Sequence, residues 1–338
     1  MTRRTPGADS QSDDYNRILQ RFQKKMLDTL AFQQLDEYKD YCTDFIKFMK
    51  VSPIECVVSS SHPPYMFLNY QNLLGIRRIT RPINRYLFIN DIDEFEYNFE
   101  VFKDMLEDLR LARGEWAALS RFSQADGLIN RVVYTIQQII GSISDSLESS
   151  NQSRKRTGQL FEGLIKQIFH EVGLKSSPRT IRLPVPDTTA EHMSYELDIV
   201  LSLEERQLSS SESYLHSGEI IASIKTTSKD RLDKIFLDKY LLDRLLKRKT
   251  PVVAIFLHDI QRATIGDNEF CVRSTFKRNH FLVYSYLLTR LEGVYYVDYR
   301  PELGADQRLQ GQVKSFQDLL FHDLWLLLNQ PDQPTGTS

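Results

Sequence analysis

GEIIASIKTTSKDR, residues 218–231, is an apolar run that ends in a lysine and passes straight into a charged turn. Strand alternation sends successive side chains to opposite faces, so Glu219, Ile221, Ser223 and Lys225 share one face and Ile220, Ala222 and Ile224 the other. Outward from it, YELDIVLSL (195–203) and PVVAIFLHD (251–259) read as further strands, and residues 230–248 between them as a helix. Asp198 sits inside the first of these strands, flanked by Leu197, Ile199 and Val200, where a carboxylate needs a cation or hydrogen bonds to offset its burial. An isolated Asp of this kind more often faces water at a strand edge.

The lysine changes the weighing. An Asp on one strand, followed by a strand ending in an acid, any residue and a lysine, is an arrangement that holds Mg²⁺ between two carboxylates while the lysine positions a water and steadies charge on a phosphate. Here the position two before Lys225 is Ser223, a neutral side chain that cannot replace an anionic ligand. Glu219 is a further four residues back, about 13 Å along an extended strand, too far to stand in. The helix offers a replacement: Asp238 follows Arg231 by seven residues, close to two turns, so both lie on one face. The same Asp also suits an ordinary surface pair with Lys234 at i,i+4 spacing.

With SIKTTSKDR and Asp238 in place, the chain resembles the type II restriction endonucleases that recognise sites with a CC/GG core, a branch of the PD-(D/E)XK nuclease superfamily. In that branch the second carboxylate has migrated to the helix about thirteen residues beyond the lysine, and a Lys/Arg-(Asp/Glu)-Arg triplet lies four to six residues beyond it. The matching residues are Asp238 and Lys229, Asp230 and Arg231. Two positions depart from the pattern: the helix acid is Asp where the family usually has Glu, and Leu197 stands where a proline usually precedes the first Asp. The resemblance also implies that RKRTGQLFEGLI contributes Glu162 to the metal site and places Arg156 near phosphates. A Glu on an amphipathic helix is otherwise commonplace.

The triplet makes chemical sense by itself. Lys and Arg donate to guanine O6 and N7, and an acid accepts from cytosine N4, so Lys229, Asp230 and Arg231 suit adjacent G·C pairs. An exposed helix start with Asp230 favourable to the helix dipole has the same composition. Arg273, Lys277, Arg278 and Asn279 are candidates to extend a DNA surface, although an exposed turn before a helix reads alike. His258 has no assigned role.

Beyond this region, 338 residues with 41% hydrophobic content, 19 Phe and 16 Tyr supply a core for one large or two modest domains. The expected organisation is a mainly helical region over 1–150, with frayed residues 1–12, then a nuclease domain over 151–330 and a flexible tail over 331–338. The boundary is set by the Ser/Asn/Gln-rich stretch 141–153. The helical region is a candidate for DNA contact or dimerisation. A helix over 158–174 ends at Gly173; a helix at 278–291, a strand at 293–299 and a helix at 316–328 complete the domain. The fold class is α/β (α+β), a restriction-endonuclease-like core whose mixed central sheet is flanked by helices.

A net charge of −2 argues against a protein that coats polyanions by bulk basicity, but the charge is uneven. Residues 225–249 carry nine Lys/Arg against four Asp, and 91–108 carry eight acids against Lys103. No apolar stretch is long enough to span a membrane, and the start MTRRTPGADSQSDD has no signal-peptide core, so the expected location is the cytoplasm. Three cysteines without ligand spacing indicate neither a disulfide framework nor a zinc site.

The function expected from the residues and the resemblance is a Mg²⁺-dependent double-strand DNA endonuclease. It cuts at a short palindrome of CCGG or CCNGG type, leaving 5′-phosphate and 3′-hydroxyl ends. Asp198, Asp238 and Glu162 are the expected metal ligands, with Lys225 completing the catalytic set. The expected assembly is a homodimer, or a tetramer, with a cognate DNA methyltransferase in the same cell that does not bind it stably. The rivals are a structure-selective repair or recombination nuclease and a non-catalytic DNA-binding module that keeps the fold.

Overall fold

The structure is a computed structural model and describes residues 6–52, 54–59, 65–71, 76–113, 127–185, 191–203, 215–216, 218–266 and 269–329. The expected tail over 331–338 lies outside the described residues. Two compact units are present, each assembled from several stretches rather than from one cut at residue 150.

The unit formed by residues 102–130, 165–259 and 275–338 contains a six-stranded mixed sheet in the order β12-β11-β8-β7-β6-β5. Its strands are β5 (Leu174–Pro184), β6 (His192–Leu203), β7 (Ile220–Thr227), β8 (Val252–His258), β11 (Gly293–Tyr296) and β12 (Val313–Ser315). β5, β6 and β7 pair antiparallel, whereas β7, β8, β11 and β12 run parallel. Parallel neighbours need a crossover, and the helix Leu232–Leu245 supplies it between β7 and β8. Every residue of β8 is buried, as expected of a central strand covered on both faces. Leu232, Ile235, Phe236 and Leu242 of the crossover helix join Leu197, Val200, Ile221, Ala254, Phe256 and Tyr296 of the sheet in one apolar core.

The expected mixed sheet and its flanking helices are therefore present, with element ends shifted by a few residues. The last predicted helix differs more. A capping box at Ser315 and Asp318 starts the helix Phe316–Asp318, a π-turn follows over Leu319–Asp323, and the α-helix resumes at Leu324–Leu328. Tyr295 donates to Asp323 within this wider turn, at 2.6 Å.

The other unit, residues 1–101, 131–164 and 260–274, is not simply helical. Strands β1 (Glu55–Val58), β2 (Tyr65–Gln71), β3 (Arg77–Ile79) and β4 (Ile83–Asn84) form an antiparallel sheet. The hairpin of β9 (Ile260–Gly266) and β10 (Glu269–Ser274) contributes Ile260 and Val272 to a cluster with Tyr65 and Phe67. Residues 6–12 belong to the helix Pro6–Leu27.

The Ser-rich stretch 141–153 is not a linker either. It spans the end of the helix Leu128–Asp145 and the start of the helix Ser150–Glu171. Ser142, Ser144, Ser146 and Ser153 are buried, and Ser144 Oγ lies 2.7 Å from Ser153 Oγ and accepts from Thr157 Oγ1 at 2.8 Å. The hydroxyls of Ser144, Ser153 and Thr157 satisfy one another where two helix ends meet, which composition alone reads as a loop. The helix Ser150–Glu171 does end where expected, with Gly173 at φ +82°.

Candidate active site

β6 and β7 bring Asp198 and Lys225 together. Just beyond the pair Ile199↔Ala222, Asp198 Oδ2 accepts three hydrogen bonds: Ser223 Oγ at 3.1 Å, the Ile224 amide at 3.1 Å and Lys225 Nζ at 2.5 Å. Ser223 thus occupies the strand position of the missing acid as a donor that holds Asp198. The three donors offset the cost of a half-buried carboxylate between two buried aliphatic neighbours.

Asp238 comes from the crossover helix into the same cleft, whose charged lining also includes Glu196, Arg231 and Lys234. Leu197, Ile221, Ile235 and Val252 form its apolar floor. Arg231, at the N-cap of the crossover helix, and Asp238, within it, both line the cleft. Asp238 has no ion pair among the described residues; its Oδ1 accepts the hydroxyl of Tyr195 at 2.6 Å. Burial, and then this bond to Asp238, hold the Tyr195 phenol above its usual pKa, so it donates throughout the neutral range.

The helix is fixed in rotation by the next residue. Lys239 is buried, and its ammonium donates to Thr250 O at 2.9 Å and to both oxygens of Glu292 at 2.7 and 2.6 Å. Glu292 in turn accepts the Val252 amide at 2.6 Å, which ties helix, strand and loop together. Glu219, immediately before the strand that carries Ser223, is occupied elsewhere by an ion pair to Arg179 at 2.8 Å.

The triplet lies in an exposed turn, and the helix begins only at Leu232. Buried Ser228 anchors the turn by accepting the amides of Arg231 at 3.2 Å and Leu232 at 3.4 Å. Asp230 has φ +53°, in the left-handed region that non-glycine residues occupy at a cost.

Other expected residues fall differently. Glu162 is half-buried on the helix Ser150–Glu171, in the other unit. Arg156 does not wait for a phosphate: its guanidinium donates to Met26 O and Asp28 O, both at 2.6 Å, and caps the end of the helix Pro6–Leu27. Arg278 pairs with Asp306 at 3.0 Å, and His258 is buried at the end of β8. Tyr195 and Lys239 carried no sequence signal that separated them from any aromatic or lysine, because their partners lie 43 and 53 residues away.

The donor set fits Mg²⁺. Asp198 Oδ1 and Asp238 Oδ2 take no hydrogen bond among the described residues, and both belong to hard oxygen ligands in one cleft. Mg²⁺ is commonly held by one or two carboxylates, with water and substrate phosphate in the remaining positions. Among the described residues there is no cluster of three or more His, Cys, Asp or Glu side chains suited to a metal.

No protein-family model matches the chain, and no curated protein matches it. Among solved structures it is similar to "Crystal structure of Type IIP restriction endonuclease Kpn2I", with a TM-score of 0.63 and 17% identity over 94% of this chain and 98% of that one. A second, "Restriction endonuclease PspGI-substrate DNA complex", gives a TM-score of 0.38 and 12% identity over 59% of this chain and 80% of that one. The chain has the restriction-endonuclease fold.

Proposed function

We propose that the protein is a Mg²⁺-dependent type II restriction endonuclease that cuts double-stranded DNA at a short palindrome with a CC/GG core, of CCGG or CCNGG type. The observation that carries this is one cleft on a restriction-endonuclease fold that holds Asp198, Lys225 and Asp238, with Arg231 on its lining. Asp198 and Asp238 would hold the metal. Bound there, Mg²⁺ supplies Lewis-acid stabilisation of the phosphate and a lowered pKa for a bound water.

The chain's own groups do the rest. Lys225 presents an ammonium beside Asp198, where it orients the attacking water and offsets the charge that builds on the phosphate oxygens. The Ser223 hydroxyl and the Ile224 amide hold Asp198 in place as that charge develops. In-line attack leaves a 5′-phosphate and a 3′-hydroxyl. Lys229 and Arg231 donate to guanines and Asp230 accepts from cytosine. A homodimer presents one cleft to each strand of a palindrome, and a cognate methyltransferase protects the host's own sites.

Incubating plasmid DNA with the protein and Mg²⁺ tests this. Discrete fragments are expected. Preference for junctions or flaps over plasmid favours a repair nuclease, and specific binding without cleavage favours a non-catalytic module.

A further inference from the structure

We propose that the Tyr195 hydroxyl sets how Asp238 meets a cation, tying back one carboxylate oxygen so that the cleft prefers Mg²⁺ or Mn²⁺ to Ca²⁺. The inference rests on the reading of this cleft as a divalent-cation site and goes further by assigning its selectivity to a residue outside the ligand set.

Tyr195 precedes Asp198 by three residues on β6, and its ring packs against the apolar core. The ring fixes the hydroxyl, which donates to Asp238 Oδ1 at 2.6 Å. One phenol therefore links the strand that carries one carboxylate to the helix that carries the other. An unrestrained Asp on a helix samples several rotamers and can offer both oxygens to a cation. With Oδ1 held by the phenol, Asp238 offers Oδ2.

Asp198 follows the same plan independently. All three of its hydrogen bonds fall on Oδ2, from Ser223, Ile224 and Lys225, which leaves Oδ1 without a hydrogen bond among the described residues. The cleft is thus built from two carboxylates that each have one oxygen committed to the protein. Mg²⁺ demands near-octahedral geometry from single oxygens at short distance, whereas Ca²⁺ takes six to eight oxygens and readily uses both oxygens of a carboxylate. Two single-oxygen ligands suit the smaller ion. Tyr195 acts through Asp238, as a positioning residue.

The experiment is Mn²⁺ titration of the full-length protein followed by electron paramagnetic resonance, with Ca²⁺ displacement, for wild type, Tyr195→Phe, Asp238→Ala and the double variant. Tyr195→Phe keeps the ring and the core contacts. Its preference for Mn²⁺ over Ca²⁺ should fall roughly ten-fold, the low end of what loss of a hydrogen bond to a metal ligand costs. In the Asp238→Ala background the same change should have no further effect. An unchanged Mn²⁺/Ca²⁺ ratio in Tyr195→Phe overturns the inference, as does an equal shift without Asp238, or a wild type that binds no Mn²⁺. A wild type with the expected selectivity that cuts no DNA instead overturns the nuclease reading and leaves the selectivity standing.

Discussion

Lys239 and Glu292 form an ion pair at the cleft beside Asp238, with the buried ammonium 2.6 Å from the carboxylate. Asp238 and Lys239 are consecutive, so a helix pinned through the lysine has little freedom to rotate the aspartate out of the site. Lys239→Ala leaves Glu292 without its cation and the Thr250 carbonyl without its donor. The expected loss is about 3 kcal/mol, the low end for a broken buried pair because Glu292 keeps some solvent contact. Urea unfolding checks it, with the exposed Lys234→Ala expected within about 0.5 kcal/mol of wild type.

Lys225→Ala and Asp238→Ala should abolish cleavage while specific DNA binding in Ca²⁺ persists, since that ion occupies oxygen sites without supporting the chemistry. Asp238→Glu, which carries the acid usual in the branch that the sequence resembles, should keep appreciable activity. Single-turnover cleavage and Ca²⁺ gel shifts separate the two effects. Wild-type rates in Asp238→Ala remove the helix carboxylate from the mechanism.

Asp230 joins a left-handed backbone to a proposed base contact. Asp230→Gly should match or exceed wild-type stability, by up to about 1 kcal/mol, because glycine adopts φ +53° without the Cβ penalty. It should nevertheless lose about 1–3 kcal/mol of cognate affinity, with non-cognate affinity little changed. Cognate affinity that rises together with non-cognate affinity means that Asp230 faces phosphate and reads no base.

Tyr295 and Tyr296 lie buried on β11, and burial is the main cause that raises both phenols above their usual 10.0. The hydrogen bond to Asp323 adds for Tyr295, and the charge of Asp259 for Tyr296. An acid whose folded pKa is raised contributes stability that is complete below the unfolded value and is lost as pH rises toward the folded one. The urea midpoint should therefore hold up to about pH 9 and fall above about pH 10. A midpoint flat through that upper range contradicts the burial of these phenols in their neutral form.

Much of the cleft was legible because it rests on short-range pattern. β6, β7 and β8 are apolar runs with charged ends, and Asp238 lies on the helix that follows β7, where its spacing from Lys225 puts it. What was illegible depends on partners far along the chain. Serines 142, 144, 146 and 153 have the composition of a linker but are buried, with Ser144 and Ser153 bonded to one another across two helix ends and Ser146 accepting from Gln23. β3 and β4 are only three and two residues long, too short for alternation to register. Arg156 sits at the expected place in the motif, but its use is set by two carbonyls about 130 residues earlier.

The most direct test is to digest plasmid DNA with the protein in Mg²⁺ and sequence the ends of the fragments. The account predicts that the ends fall at one fixed position within a recurring palindrome with a CC/GG core and carry 5′-phosphates, and that Asp198→Ala and Lys225→Ala yield none. Ends scattered over unrelated sequences, or the same fragments from Lys225→Ala, contradict it.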